Sequence, residues 1–267
     1  MSNSLTRFVL KEDFFGKAML VANTSRAQIG GRNQKSKVKY PVATQKVGSA
    51  DIYVTEARRA EEVEIGQEVI FGQILAQPQI RSIENDGGST GGTFTVFTFL
   101  ATGAKKGGVL DPATFKTSQS DDLIITSRTG GSDISSMIDI EKTFGAFSLI
   151  AVEAKTFRDA DGESTGEIEK YVIQARSTVN NEVYQIDISD LDTKVKDLPL
   201  LAPFRLTGEI KASLFRDQSQ VENIRTSISI KAEDVEEIVV ETTSKSEPPK
   251  APENKPASTK DKGNQNK

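Results

Sequence analysis

Eight basic side chains crowd the stretch from Arg26 to Arg59: Arg26, Arg32, Lys35, Lys37, Lys39, Lys46, Arg58 and Arg59. Only Asp51 and Glu56 oppose them there. Cations at this density can neutralise a phosphate backbone and release its counterions. Lys37 and Lys39 stand two apart in "KVKYPVAT", interleaved with Val38, Tyr40 and Val42. A period of two puts both lysines on one face of a strand and the apolar residues on the other. An edge strand kept soluble by lysines has the same pattern. Aromatics therefore matter, because single strands are held by stacking as well as by charge. Tyr53 lies between Ile52 and Val54, so it points away from the core they enter. It is the first stacking candidate, and Phe94 is the second.

Other chemistries find little support. The chain has no Cys, no His and no Trp. Thiolate nucleophiles, Cys-based zinc sites and histidine general bases are absent. We expect no enzyme activity and no cofactor. "DADGES" (Asp159–Ser164) places its glycine and following residues wrongly for a calcium loop and reads as a hairpin turn. "GGSTGG" (Gly87–Gly92) has no Lys-Ser/Thr after it and lies between strands, so it is no phosphate loop. "KAEDVEEIVVE" reads as a solvated strand end. No signal peptide and no membrane-length apolar run is seen, so a cytoplasmic location is expected.

The elements that must carry these residues are strands. Alternation recurs in "ADIYVT", "TFTVFTFL", "YVIQA", "YQIDIS" and "RTSISIK". Gly- and Asp-rich segments separate them as hairpin loops. "VTEARRAEEVEIG" and "DISDLDTKVKDLPLLAP" each have room for one short helix. Five elements recur in order. "RFVLKEDFFGKAMLVA" matches "SMIDIEKTFGAFSLIAVEA", and "KVKYPVAT" matches "EIEKYVIQA". "SADIYVT" matches "VYQIDIS", "VIFGQILA" matches "FRLTGEIKA", and "FTVFTFLA" matches "IRTSISIKA". This pairs Gly72 with Gly208 and Ile74 with Ile210. The repeated Phe-Gly (Phe15-Gly16, Phe144-Gly145) reads as a core phenylalanine before a tight strand bend.

A tandem duplication of a small all-β domain follows: two OB-like barrels at 1–106 and 135–240, a linker at 107–134 with one apolar island, Leu123–Ile125, and a tail at 241–267. The tail is Lys-, Pro- and Ser-rich, with lysines at 245, 250, 255 and 260, and reads as disordered. The copies differ in charge. Residues 1–106 hold fourteen Lys/Arg against ten Asp/Glu; residues 137–240 hold twelve against twenty. The first copy is basic enough to meet phosphates, and the second is not.

The second copy also resembles a family. "MIDIEKTFGAFSLIAVEAKTFRDADGESTGEIEKYVIQARSTVNNEVYQIDIS" with "FRLTGEIKA" resembles the helicase processivity factors of Gram-positive integrative and conjugative elements (HelP or YdcP-like). The carriers are Thr143, Phe144, Gly145, Glu169, Lys170, Tyr171, Gln185, Ile186 and Ile188, and more loosely Phe15, Gly16, Lys39 and Tyr40 in the first copy. The resemblance implies an OB-type single-stranded DNA binder that helps a helicase in element replication and transfer. The acidic copy would then contact a helicase or relaxase, or form a homo-oligomer. The alternative is a protein–protein adaptor or assembly subunit of a plasmid or phage that does not bind DNA.

Overall fold

The structure, a computed structural model, describes residues 6–27, 36–84, 90–118, 132–217 and 225–238. Its regular elements are nearly all strands, as the alternation predicts. The first half carries β1 (Phe8–Val9), β2 (Ala18–Leu20), β3 (Ser25–Ala27), β4 (Lys37–Thr44), β5 (Gly48–Val54), β6 (Gln67–Phe71), β7 (Ile74–Glu84), β8 (Thr90–Ala101) and β9 (Ala104–Val109). The second carries β10 (Ser132–Asp133), helix α1 (Ile140–Phe144), β11 (Phe147–Arg158), β12 (Ser164–Ser177), β13 (Val183–Ile188), β14 (Pro203–Asp217) and β15 (Arg225–Glu237).

In the second half, β11, β12, β13, β15 and β14 pair in that order. The ring closes where Phe147 and Ser148 of β11 meet Phe204 and Pro203 of β14. The β13–β15 pair is parallel and the other barrel pairs are antiparallel. This is a closed five-stranded barrel of the OB type. The first half repeats the order as a curled half-barrel. Its last two long strands are each broken by two residues, giving β6–β7 and β8–β9. The β2–β6 pairing is recorded at Met19 with Glu68.

The strand registers of the two halves correspond. Ala18 faces Thr44 as Phe147 faces Ser177. Ile52 lies beside Phe99 as Ile186 lies beside Ile230. Ile74 faces Ala101 as Ile210 faces Ala232, with Gly72 and Gly208 two residues before. One sequence match slips. Tyr40 faces Ile52, and the residue facing Ile186 is Ile173, so Tyr40 corresponds to Ile173 rather than Tyr171. A two-residue shift leaves every side chain on the same face, so alternation cannot detect it.

Phe15 and Phe144 are both buried, and Gly16 and Gly145 have φ of +63° and +67°. The bend before them is a helical turn in the second copy rather than a bent strand. The Asp139 carboxylate accepts from the Lys142 amide at 2.9 Å, and the Gly145 amide donates to Glu141 O at 2.7 Å. An aspartate N-cap and a glycine that adopts positive φ suffice for one turn. The two helix expectations become short 3-10 turns, Ala57–Arg59 and Lys194–Asp197. β9 runs past residue 106, and the Leu110 and Ser118 amides donate to Gly66 O and Gln45 O. This first part of the expected linker is thus held to the first sheet. Leu123–Ile125 and the tail lie outside the described residues.

The two halves are joined by a seam. Leu10 bridges to Ile138, the Lys11 amide donates to Met137 O, and the Asp139 amide donates to Val9 O. The Val9 amide donates to the buried Thr143 hydroxyl at 3.0 Å. Phe8, Leu10, Ile134, Met137 and Ile138 are buried along it and belong to one core that includes both sheets.

The halves also differ at one backbone site. The Gly66 amide donates to Leu20 O, and the Leu201 amide donates to Leu149 O. Leu20 faces Val42 and Leu149 faces Ala175, so the two sites correspond. Gly66 has φ of +87°, where glycine is free to sit; Leu201 has φ of +66°. A bulky L-residue there costs about 1–2 kcal/mol.

Two outcomes are expected. Thr143→Val keeps the shape but leaves the Val9 amide buried without its acceptor, which costs about 1–3 kcal/mol in chemical denaturation. Leu201→Gly removes the strain but adds freedom to the unfolded chain. The net gain is about 0.5–1 kcal/mol, read as a melting temperature higher by about 1–4 °C.

Candidate nucleic-acid interface

β4 and β5 form the platform. Ile52 and Val54 are fully buried on the barrel side, and Val38, Tyr40 and Val42 pack on the same side. Lys37, Lys39 and Tyr53 therefore occupy the outer face, each partly exposed. Lys39 and Tyr53 are directly opposed across the strand pair, and Tyr53 lies beside Leu100 of the parallel neighbour β8. Cross-strand neighbours in such a pair have Cβ atoms about 4.5–5.5 Å apart. A cation and an aromatic ring thus stand side by side, as a nucleotide with one phosphate and one base requires.

The other predicted residues divide. Arg26 lies on β3 opposite Val38, so it is on the face away from Lys37 and Lys39, although it is exposed. Lys46 lies in the β4–β5 turn, beyond the far end of β4 from Lys37; that strand is roughly 25 Å long at about 3.3 Å per residue. Its ammonium is 2.7 Å from Asp13. Arg58 and Arg59 follow β5, at the Lys37 end, and both reach the Glu56 carboxylate, at 3.3 and 3.0 Å. Arg32 and Lys35 lie outside the described residues, as does the Phe94 side chain.

Lys105 and Lys106 on β9 are exposed residues that the sequence reading passes over. β9 joins the Arg58–Arg59 turn through the bridge between Ala60 and Ala104. Their signal was the Lys-Lys pair in "GAKKGG". Lys37, Lys39 and Tyr53 share one face, Arg58 and Arg59 follow β5 at the same end, and Lys105 and Lys106, on alternate faces of β9, lie past the Ala60–Ala104 bridge.

The lysines differ electrostatically. Burial holds the Lys37 ammonium below the ordinary lysine range. The Lys39 ammonium is raised by its hydrogen bond to Asp51, 2.6 Å away. Such an exposed pair contributes about 0–1 kcal/mol, so exchanging Asp51 for a phosphate is not costly. The second barrel has no equivalent. By register, Val172 stands where Lys39 does and Asp187 where Tyr53 does, with Lys170 2.7 Å from Asp187.

Among the described residues, no group of three or more carboxylates is placed to hold a metal, and no helix is long and apolar enough to cross a membrane. The "DADGES" segment is a hairpin turn between β11 and β12. Asp159 accepts from the Asp161 and Glu163 amides there, at 3.0 and 2.8 Å.

No family model matches the chain, and no curated protein matches it. Among solved structures, the chain is similar to the Ifi202 HINa domain in complex with a 20 bp double-stranded DNA, with 10% identity. The alignment covers 85% of this chain and 99% of that one, at a TM-score of 0.19. At that score the likeness carries no argument here.

The two lysines of β4 are expected to titrate in opposite directions. In an NMR titration of side-chain Nζ, Lys37 loses its proton at lower pH than an ordinary lysine, and Lys39 at higher pH. Asp51→Asn moves Lys39 back down and leaves Lys37 in place.

Proposed function

We propose that this chain is a non-enzymatic, cytoplasmic single-stranded DNA-binding accessory protein that supports helicase-driven replication or transfer of a plasmid or conjugative element. The observation that carries the DNA-binding part is the pairing of Lys39 with Tyr53 on the outer face of β4–β5, with Lys37 on the same face. Phosphates meet Lys37 and Lys39, and a base stacks on Tyr53. Arg58, Arg59, Lys105 and Lys106 extend the path.

The helicase part rests on the residues quoted above for the family resemblance, from Thr143 to Ile188. A relaxase is the other enzyme that reading would supply as a partner. The acidic second barrel, with Asp187 in place of Tyr53, is the protein-facing half in this scheme.

A second reading, a protein–protein adaptor, is favoured by one observation. Leu200 and Leu201 on the acidic barrel are 71% and 72% exposed. A salt-insensitive complex with a protein partner and no affinity for DNA would select it.

The test is fluorescence anisotropy of a labelled single-stranded oligonucleotide with the full-length chain over a salt series. Affinity is expected to fall by about 0.7 log units per phosphate contact per decade of salt. Reversing Lys37 and Lys39 together should remove about two contacts, lowering the slope by about 1.4. Tyr53→Ala should cost about 1–3 kcal/mol per stacked base with the slope unchanged. Undiminished binding by the Lys37→Glu/Lys39→Glu protein, with its melting temperature retained, would remove the assignment.

A further inference from the structure

The turn between the Lys194–Asp197 segment and β14 presents two adjacent leucines to solvent. Pro199 O accepts from the Ala202 amide to close it. Leu200 is 71% exposed and Leu201 72%. Leu201 is held at positive φ although its counterpart, Gly66, shows that glycine serves the same backbone. Strain at a largely exposed apolar side chain marks a surface kept for contact. The ground around it is charged with an acidic excess: Asp190, Asp192, Asp197, Glu236 and Glu237 against Lys194, Lys196 and Arg205, the last 2.6 Å from Glu236.

The half-barrel carries the complementary feature. Where β2 meets β6 at Met19 and Glu68, a cavity of about 440 Å³ opens between the β1–β2 segment and the β6–β7 corner. Phe15, Val69 and Phe71 line it, and Ile70, half exposed, also lines it. Lys11 and Lys17 of this half and Lys142 of the second half line it with Glu12 and Glu68, Lys142 being 2.6 Å from Glu12. The half that bears it is the basic one, and the half that bears the leucines is the acidic one.

We infer that the Leu200–Leu201 turn of one copy seats in this cavity of a second copy, joining the acidic barrel of one chain to the basic half-barrel of the next. The contact uses different surfaces on the two chains, so it is heterologous and propagates until it closes on itself. Charge complementarity selects a second copy as the occupant: the residues bordering the turn are acidic on balance and those lining the cavity basic on balance. The inference does not rest on DNA binding, and its test contains no nucleic acid.

Sedimentation velocity of the full-length chain over a concentration series reads it directly. The weight-average mass should rise above the 29.0 kDa of one chain and fall back as salt is raised. Leu200→Ser and Ile70→Glu change exposed positions on the two opposite surfaces. Each should weaken self-association by at least about tenfold. Mixed in equal amounts, the two variants each keep one intact surface, so they should form a dimer that grows no further. Leu201→Gly, which is expected to fold more stably, should also lose association and so separates contact from stability. A mass that stays at one chain throughout would overturn the inference. So would association indifferent to both single variants, or a mixture in which the two variants do not combine.

Discussion

The seam between the halves governs the rest of the molecule. Leu10 bridges Ile138, the Val9 amide is held by Thr143, and Phe8, Met137 and Ile138 close the apolar gap. The first half is an open half-barrel, with one side of its core to be covered. Joining the two cores across the seam makes one larger interior. The most informative polar atom in it is the Thr143 hydroxyl, since the group it satisfies belongs to the other half of the chain. The helical turn Ile140–Phe144 exists to deliver that hydroxyl, and Asp139 caps the turn while its own amide binds Val9 O.

On this shared frame the two copies have diverged where the frame is indifferent. Thr44 and Ser177 occupy the same register and keep buried hydroxyls that bind turn backbone, at Gly48 O and Phe144 O. The other inward positions of these strands stay apolar. The outer row does not: Lys39 and Tyr53 in one barrel stand where Val172 and Asp187 do in the other. Barrel closure sets which side chains point inward, but it sets no chemistry on the outside. Charge could therefore move to opposite signs in the two copies without disturbing either sheet.

Much of this was legible. The match of Ile74 to Ile210 and of Ile52 to Ile186 follows from alternation plus the glycines at 72 and 208, and the outward direction of Tyr53 follows from it. The Tyr40–Tyr171 match failed because a slip of two preserves alternation. Arg26 was placed with the lysines because β3 is three residues long and shows no periodicity of its own. The partners of the cations were readable only when local: Glu56 sits two and three residues from its arginines, whereas Asp13 meets Lys46 through the fold. The seam was hidden because Met137 and Ile138 look like any core residues. Leu201 was hidden because sequence carries no sign of a leucine in a glycine conformation.

The seam has a consequence for how the chain can be cut. Its contacts join residues 8–12 to residues 135–143, on either side of the connecting segment. A backbone break within that segment would sever the covalent link and leave every one of these contacts in place. The two fragments would then behave as subunits of a heterodimer, each the other's missing wall. Two halves of one chain would, with one nick, become an obligate pair.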